Sequence, residues 1–144
     1  MASSNKQAGN EFESDFAQIL AQEGFWAHVM QQNKAGQPSD IIAVKGKFHT
    51  LIDCKVVSDP RKGFPFSHVE YNQRLAMDAF SKKGKEPCFF ALKFPNADIR
   101  ILGYGAIKTL EERGHKSVTQ KMMEYETWSF DDWLACVNVW AEDE

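Results

Sequence analysis

The segment from Asp40 to Val57 constrains the fold of this chain more than any other part of the sequence. Two apolar and largely β-branched runs, Asp40–Val44 and Phe48–Val57, flank the short sequence Lys45-Gly46-Lys47. Runs of this length on either side of a glycine-containing turn are typical of two antiparallel strands. The segment therefore predicts a β-hairpin.

Further helices and strands are predicted on both sides of this hairpin along the chain. They are recognised from apolar residues at helical or strand-like spacing and from Gly and Pro at the boundaries. We expect helices over Glu11–Glu23, Val69–Phe80, Tyr104–Glu112 and Thr127–Trp140, strands over Phe25–Met30, Pro87–Leu92 and Ile99–Leu102, and loops over Asn33–Pro38 and Ser58–Pro65. Such a chain packs in layers, so the predicted fold is α/β, with a mixed central β-sheet flanked by helices.

Two of the predicted helices have recognisable apolar sides. In the helix over Val69–Phe80 the candidates for burial are Val69, Leu75, Met77, Ala79 and Phe80. In the last helix Ser129 is a candidate cap, and the apolar side carries Phe130, Trp133, Leu134, Val137 and Trp140. Sides of this kind pack against the core of a globular domain.

The composition is that of one globular domain. The chain has 144 residues, of which 43% are hydrophobic, and this is enough for one hydrophobic core. No apolar run approaches the roughly 18 residues of a membrane-spanning helix, and the polar N-terminus does not resemble a signal peptide. We therefore expect a cytoplasmic protein with no membrane partner. Residues 1–8 are predicted to be a flexible N-terminus and residues 9–144 a single domain, in which residues 104–144 form a helical extension.

The charge of the chain leaves two interpretations of its basic residues. The net charge is −3 and the pI about 5.8, which argues mildly against nucleic-acid binding. Basic residues nevertheless gather in two parts of the chain, at Lys45, Lys47, Lys55, Arg61 and Lys62 and again at Lys82, Lys83 and Lys85. They either form a basic face or are separate solvated lysines near turns.

The predicted hairpin carries the residues with the most distinctive chemistry. Side chains alternate along a strand, so Asp53 and Lys55 face the same side while Cys54 faces the other. Asp40 begins the preceding strand and lies across from the neighbourhood of Asp53 if the strands pair through the turn. A carboxylate in an otherwise apolar strand is costly unless it is paired or binds a metal, and two adjacent carboxylates suit a hard cation such as Mg²⁺ or Mn²⁺. An Asp53–Lys55 ion pair at a sheet end is the simpler alternative for that pair alone.

At these positions the sequence resembles the PD-(D/E)xK nucleases, through Pro38, Asp40, Asp53 and Lys55. Within that superfamily it resembles the Holliday-junction resolvases of the archaeal and RecU-like types. Further matching segments are Gly9 followed four residues later by Glu13, Phe64–Phe66 leading to Gln73, and Ala91–Pro95. The resemblance extends from about Gly9 to Leu102. Asp53 stands where many relatives have glutamate, Ser39 separates Pro38 from Asp40, and the chain has no room for the long stalk of the RecU-like enzymes.

The resemblance implies a restriction-endonuclease-like fold and metal-dependent hydrolysis of DNA phosphodiester bonds that leaves a 5′-phosphate. The implied catalytic residues are Glu13, Asp40, Asp53 and Lys55. Mg²⁺, with Mn²⁺ as a substitute, would be held by Asp40, Asp53, the Cys54 backbone carbonyl and Glu13, the last directly or through water. Lys55 would orient the attacking water or stabilise charge on the phosphate.

The resemblance also implies a branched DNA substrate, the four-way junction, and a homodimer, because two symmetric cuts match a two-fold symmetric protein. Gln73, Arg61 and Lys62 are the expected DNA contacts. The side of the last helix with Trp133 and Trp140 is a candidate dimer interface, although packing in the core is the preferred interpretation.

Three other functions remain open at this point. A nuclease of the same fold can act on flap, nicked or foreign DNA instead. A catalytically silent DNA-binding module can keep the fold, and a plain α/β domain can carry the acids as surface charge.

Overall fold

In the computed structural model, which describes residues 2–30, 40–84 and 86–142, helices cover both faces of a mixed β-sheet. The α-helices of this part are Ala2–Gln22 (α1), Tyr71–Gly84 (α2), Tyr104–Glu112 (α3), Met123–Glu126 (α4) and Phe130–Glu142 (α5). The strands are Trp26–Val29 (β1), Ile41–Lys45 (β2), Phe48–Val56 (β3), Phe64–Pro65 (β4), Phe89–Lys93 (β5), Ile99–Gly103 (β6), Ser117–Val118 (β7) and Trp128–Ser129 (β8). The predicted fold class is confirmed.

The described strands form one sheet of six in the order β1-β2-β3-β5-β6-β8 and a separate pair, β4-β7. All neighbours are antiparallel except β3 and β5, which are parallel. A parallel pair needs a crossover connection, and α2 lies in the one that joins β3 to β5.

The predicted hairpin is formed by β2 and β3. Their pairing runs from Lys45 opposite Phe48 to Ile41 opposite Ile52, and Gly46 in the turn has a φ of 56°. This left-handed conformation is the reason for a glycine at the turn.

The two faces of the sheet carry separate hydrophobic clusters. On one face α1 and α5 contribute Phe12, Phe16 and Trp133, among others. On the other face α2 and α3 contribute Met77 and Ile107. Trp133 is fully buried, so packing in the core is the correct interpretation of this residue and the proposed interface role for it is wrong.

The last helix has the capping contact that the sequence predicts. The backbone N–H of Asp132 donates to Ser129 Oγ at 3.1 Å, and α5 begins at Phe130. Trp140 lies at the rim of the core, where its ring stacks on Phe48 with centroids 5.8 Å apart.

Several element predictions were wrong in detail. The first helix begins at Ala2, not Glu11. The elements β4, β7, α4 and β8 were not predicted, because two to four residues are too short to show a period. Leu75 and Ala79 are exposed, and Gln73 is buried instead.

Some predictions concern parts of the chain that the structure does not describe. The loop over Asn33–Pro38 and the residues Ser39 and Lys85 are among them. The flexibility of residues 1–8 and the domain boundary after them stay predictions. No helix among the described residues is both long and apolar enough to cross a membrane.

Candidate active site

Asp40 lies directly before β2 and is buried. Its Oδ2 accepts a hydrogen bond from the backbone N–H of Cys54 at 2.7 Å. Continuing the β2–β3 register by one residue beyond the Ile41–Ile52 pair places Asp40 opposite Asp53. The expectation that the hairpin brings these two acids together is therefore correct.

Asp53 and Lys55 project from the same face of β3. The Lys55 Nζ lies 3.1 Å from Asp53 Oδ2, and the two side chains are 21% and 1% exposed, respectively. Although the charges are this close, Oδ2 is buried without a hydrogen-bond donor in the described part of the chain. The distance of 3.1 Å establishes an ion pair between Lys55 and Asp53.

The buried position of Asp53 favours its protonated form. Burial raises the pKa of this carboxyl well above its ordinary value, the negative charge of Asp40 raises it further, and Lys55 acts in the opposite direction. Repulsion between neighbouring carboxylates is relieved when one of them binds a proton or a cation. The position of Asp53 beside Asp40 therefore favours the binding of a proton or a cation.

Glu13 reaches the same place from α1. Partial burial, followed by the charge of Asp40 and a hydrogen bond with it, raises the Glu13 pKa to about 7, and Lys55 lowers it. The carboxyl groups of Glu13 and Asp40 therefore interact directly, and Asp40 interacts with Asp53 as well. All four predicted catalytic residues belong to one cluster.

Cys54 contributes its backbone rather than its side chain. The thiol packs in the cluster beneath α1, where burial and then the charge of Asp40 raise its pKa well above the ordinary value. The N–H and C=O of a strand residue in an antiparallel pair point to the same side. The N–H of Cys54 bonds to Asp40, so the Cys54 carbonyl points to the side of β3 on which Asp40 lies.

Gln73 on α2 completes the surroundings of Asp53. Its Nε2 donates to Asp53 Oδ1 at 2.8 Å, while its Oε1 accepts the backbone N–H of Glu70 at 3.0 Å. The side chain is 8% exposed, so it is not an exposed helix glutamine. Its amide faces the cluster of predicted catalytic residues, and a direct DNA contact stays a prediction.

The predicted basic residues have different surroundings. Lys45 Nζ donates to the carbonyl of Glu23 and to Asn138 Oδ1. Arg61 pairs with Asp59, with Nε 3.1 Å from Oδ1. Lys62, in contrast, lines a cavity that also contains Lys55. The sequence did not single out His68, which lines the same cavity and carries no recognisable motif.

The donor set of this cluster suits a hard divalent cation. Among the described residues no group of three or more His, Cys, Asp or Glu side chains is arranged to hold a metal ion. Glu13 interacts with Asp40, and Asp53 pairs with Lys55. Even so, three carboxyl groups adjoin, and Asp53 Oδ2 is buried without a donor. A divalent cation would satisfy that oxygen and remove the repulsion between the acids.

Comparison with known proteins extends the resemblance seen in the sequence. The family model described as archaeal Holliday junction resolvase (Hjc) matches residues 4–135 and so reaches well beyond Leu102. A similar solved structure is that of Hjc, a Holliday junction resolvase from the archaeal hyperthermophile Archaeoglobus fulgidus. The two structures superpose with a TM-score of 0.64, and the sequences are 19% identical. The match covers 88% of this chain and 98% of that chain. At this identity the likeness concerns the fold. No curated protein sequence matches the chain.

Proposed function

The chain belongs to the archaeal Holliday junction resolvase (Hjc) family, and on this premise we propose that Glu13, Asp40, Asp53 and Lys55 form a Mg²⁺-dependent active site. Membership of this family makes the protein a nuclease that resolves Holliday junctions in DNA recombination and repair. The observation that carries the proposed site is the cluster of three carboxyl groups and one ammonium group around the buried oxygen Asp53 Oδ2.

The metal ligands that we propose are Asp40, Asp53 and the Cys54 carbonyl, with Glu13 bound directly or through water. Mg²⁺ is the expected ion, and Mn²⁺ is expected to substitute for it, since all of these ligands are oxygens. When bound, such an ion polarises the phosphate and lowers the pKa of a bound water. Asp40 is fixed for this purpose by its hydrogen bond to the Cys54 N–H.

Lys55 connects the buried acids with the solvent-exposed side of the site. Its ammonium group is held beside Asp53 and remains partly exposed, so it can meet a phosphate that approaches from outside. We propose that Lys55 orients the attacking water or stabilises the charge that develops on the scissile phosphate. Hydrolysis would leave a 5′-phosphate.

Gln73 is proposed to act as a positioning residue. Its amide holds one oxygen of Asp53 and leaves the other facing Lys55. Hydrogen bonds to a metal-binding carboxylate commonly fix its orientation and contribute to metal affinity.

The proposed partner is a four-way DNA junction cut by a homodimer in the cytoplasm. Two symmetric cuts across a junction need two active sites related by a two-fold axis, which a homodimer supplies. Buried Trp133 cannot take part in the interface.

The direct test is cleavage of labelled four-way junctions, with duplex, flap and single-stranded DNA for comparison. Wild-type protein with Mg²⁺ or Mn²⁺ should make paired, symmetric cuts in the junction and none in EDTA. The Asp53→Asn and Lys55→Ala variants should lose at least about 100-fold in rate while still folding. Wild-type inactivity with both metals, or full activity of the variants, would contradict the proposed site.

The exposed residue Asp15 on α1 provides a matched control. Asp15→Asn makes the same chemical change as Asp53→Asn outside the cluster, so it should leave the cleavage rate unchanged. Single cuts in flaps without paired cuts in junctions would instead favour a different DNA substrate.

A further inference from the structure

Two neighbouring cavities extend from the proposed active site across the small β4–β7 sheet. The first has a volume of about 270 Å³, and its lining includes Lys55, Lys62 and His68. The second has a volume of about 800 Å³, and its lining includes Lys62, His115 and Lys116. Lys62 and Pro65 line both cavities, so the two cavities adjoin, and Lys55 lines the first of them. We refer to the two adjoining cavities together as the groove.

The acids along this groove are neutralised by arginines. Asp59 pairs with Arg61, and both carboxyl oxygens of Glu111 accept from Arg74, at 2.8 and 2.9 Å. In the described part of the chain Lys62 and Lys116 form no ion pair. The groove is therefore basic although the whole chain has a net charge of −3.

The floor of the groove is held rigidly by the fold. Phe64 pairs with Val118 in the β4–β7 sheet, both side chains are buried, and the backbone N–H of Phe66 donates to the Lys116 carbonyl at 2.9 Å. This pairing fixes the backbone near both lysines, since Lys62 lies shortly before β4 and Lys116 lies directly before β7. A fixed backbone reduces the entropy lost when a ligand binds.

We propose that this groove binds the sugar-phosphate backbone of the DNA next to the scissile phosphate, with Lys62 and Lys116 contacting phosphates. The proposal rests on the proposed function, because it takes Lys55 as the position of the scissile phosphate. Phosphate contacts of this type set the position of DNA without reading its sequence. They explain how an acidic protein binds a polyanion through one local surface.

The test compares two double variants with the same loss of charge. Lys62→Gln with Lys116→Gln removes the two groove lysines, whereas Lys82→Gln with Lys83→Gln removes two exposed lysines of α2 outside it. Binding of a four-way junction is measured by fluorescence anisotropy in EDTA over a range of salt concentrations. We expect the groove variant to lower the slope of log K against log salt by about 0.9 per lysine, and the α2 variant to lower it much less. Equal effects of the two variants, or no effect of the first, would overturn the proposal.

A cleavage measurement separates this proposal from that for the active site. With protein in large excess over junction, the cleavage defect of the groove variant should be smaller than at limiting protein, because Glu13, Asp40, Asp53 and Lys55 are intact. If wild-type protein binds through the two lysines but never cleaves, the proposed chemistry fails and the groove stands. If cleavage depends on Asp53 but junction affinity does not change when the two groove lysines are replaced, only the groove proposal fails.

Discussion

At the scale of single residues, the most important feature of the site is the carboxyl group of Asp53, because burial disfavours its charged form. Asp53 is almost entirely inaccessible, and Gln73 and Lys55 offset part of its loss of hydration. Removing water from a carboxylate costs several kcal/mol unless partners compensate. The remaining unsatisfied oxygen is the reason for our proposal that the cluster receives a cation.

The amide of Gln73 gives a test of positioning against DNA contact. Gln73→Met keeps the approximate volume but removes the hydrogen bond to Asp53 Oδ1. We expect cleavage at saturating protein to fall by about 10- to 100-fold, as for other residues that orient metal ligands, while junction affinity in EDTA stays unchanged. Gln18→Met, at an exposed position of α1, is the control. Weaker DNA binding with a normal saturated rate would show that Gln73 contacts DNA instead.

Glu13 gives a prediction of pH dependence. Its pKa is raised from 4.5 to about 7 in the folded, metal-free protein, so between these values the folded state keeps a proton that the unfolded chain has released. The raised pKa therefore makes the free energy of unfolding decrease as pH rises through this interval. Urea denaturation in EDTA should show wild type losing stability relative to Glu13→Gln from about pH 4.5 to 7. A relative gain over the same interval would contradict the assignment.

Some of these residue contacts could be predicted and others could not. The alternation of side chains in a strand placed Asp53 and Lys55 together, and the hairpin register placed Asp40 beside them. Glu13 came only from family resemblance, because contacts between a helix and a distant strand leave no local period in the sequence. The hydrogen bond between Gln73 and Asp53 could not be predicted, because it depends on which side of α2 packs against the sheet. The packing of α2 also leaves Leu75 exposed, so the prediction that Leu75 is buried was wrong.

At the scale of elements, the β4–β7 pair joins the segment after β3 to the segment after α3. Gly63 precedes β4 with φ 64° and ψ −151°, and a Cβ at this position would lie 2.2 Å from the Val118 carbonyl oxygen. The close approach to a backbone atom explains why glycine is needed here.

The prediction for this element is a loss of stability in Gly63→Ala. We expect a decrease of about 2 kcal/mol or more in the free energy of unfolding, from the left-handed backbone and the clash with Val118. Gly105→Ala, in α3 with open space around it, should instead raise stability by roughly 0.5–1 kcal/mol. Chemical denaturation of both variants measures this contrast, and equal stabilities would refute the role given to Gly63.

Long elements were predictable from the sequence and short ones were not. The hairpin and the helices α2, α3 and α5 were found because several turns or alternations repeat within each. Strands β7 and β8 have two residues each, and their formation depends on partners distant in sequence. Both lie after residue 104, so the segment predicted as a helical extension also contributes strands.

At the scale of the whole molecule, the paired cuts that we propose need two copies of the site acting on one junction. We expect the protein to sediment at twice the mass of one chain at the concentrations at which it cleaves, because paired cuts need a two-fold axis. Analytical ultracentrifugation with and without junction DNA measures this. A monomer that still makes paired cuts would contradict the dimer but leave the active site unaffected.

The whole proposal for this site depends on the adjoining carboxyl groups of Asp40, Asp53 and Glu13, which we expect to bind a divalent cation. Its most direct test is Mn²⁺ binding, measured by calorimetry near neutral pH without DNA, for wild type, Asp40→Asn, Asp53→Asn and the control Asp15→Asn. We predict binding by wild type and Asp15→Asn and a loss of at least about tenfold in affinity for the other two. Equal binding by all four proteins, or none by wild type, would contradict the claim.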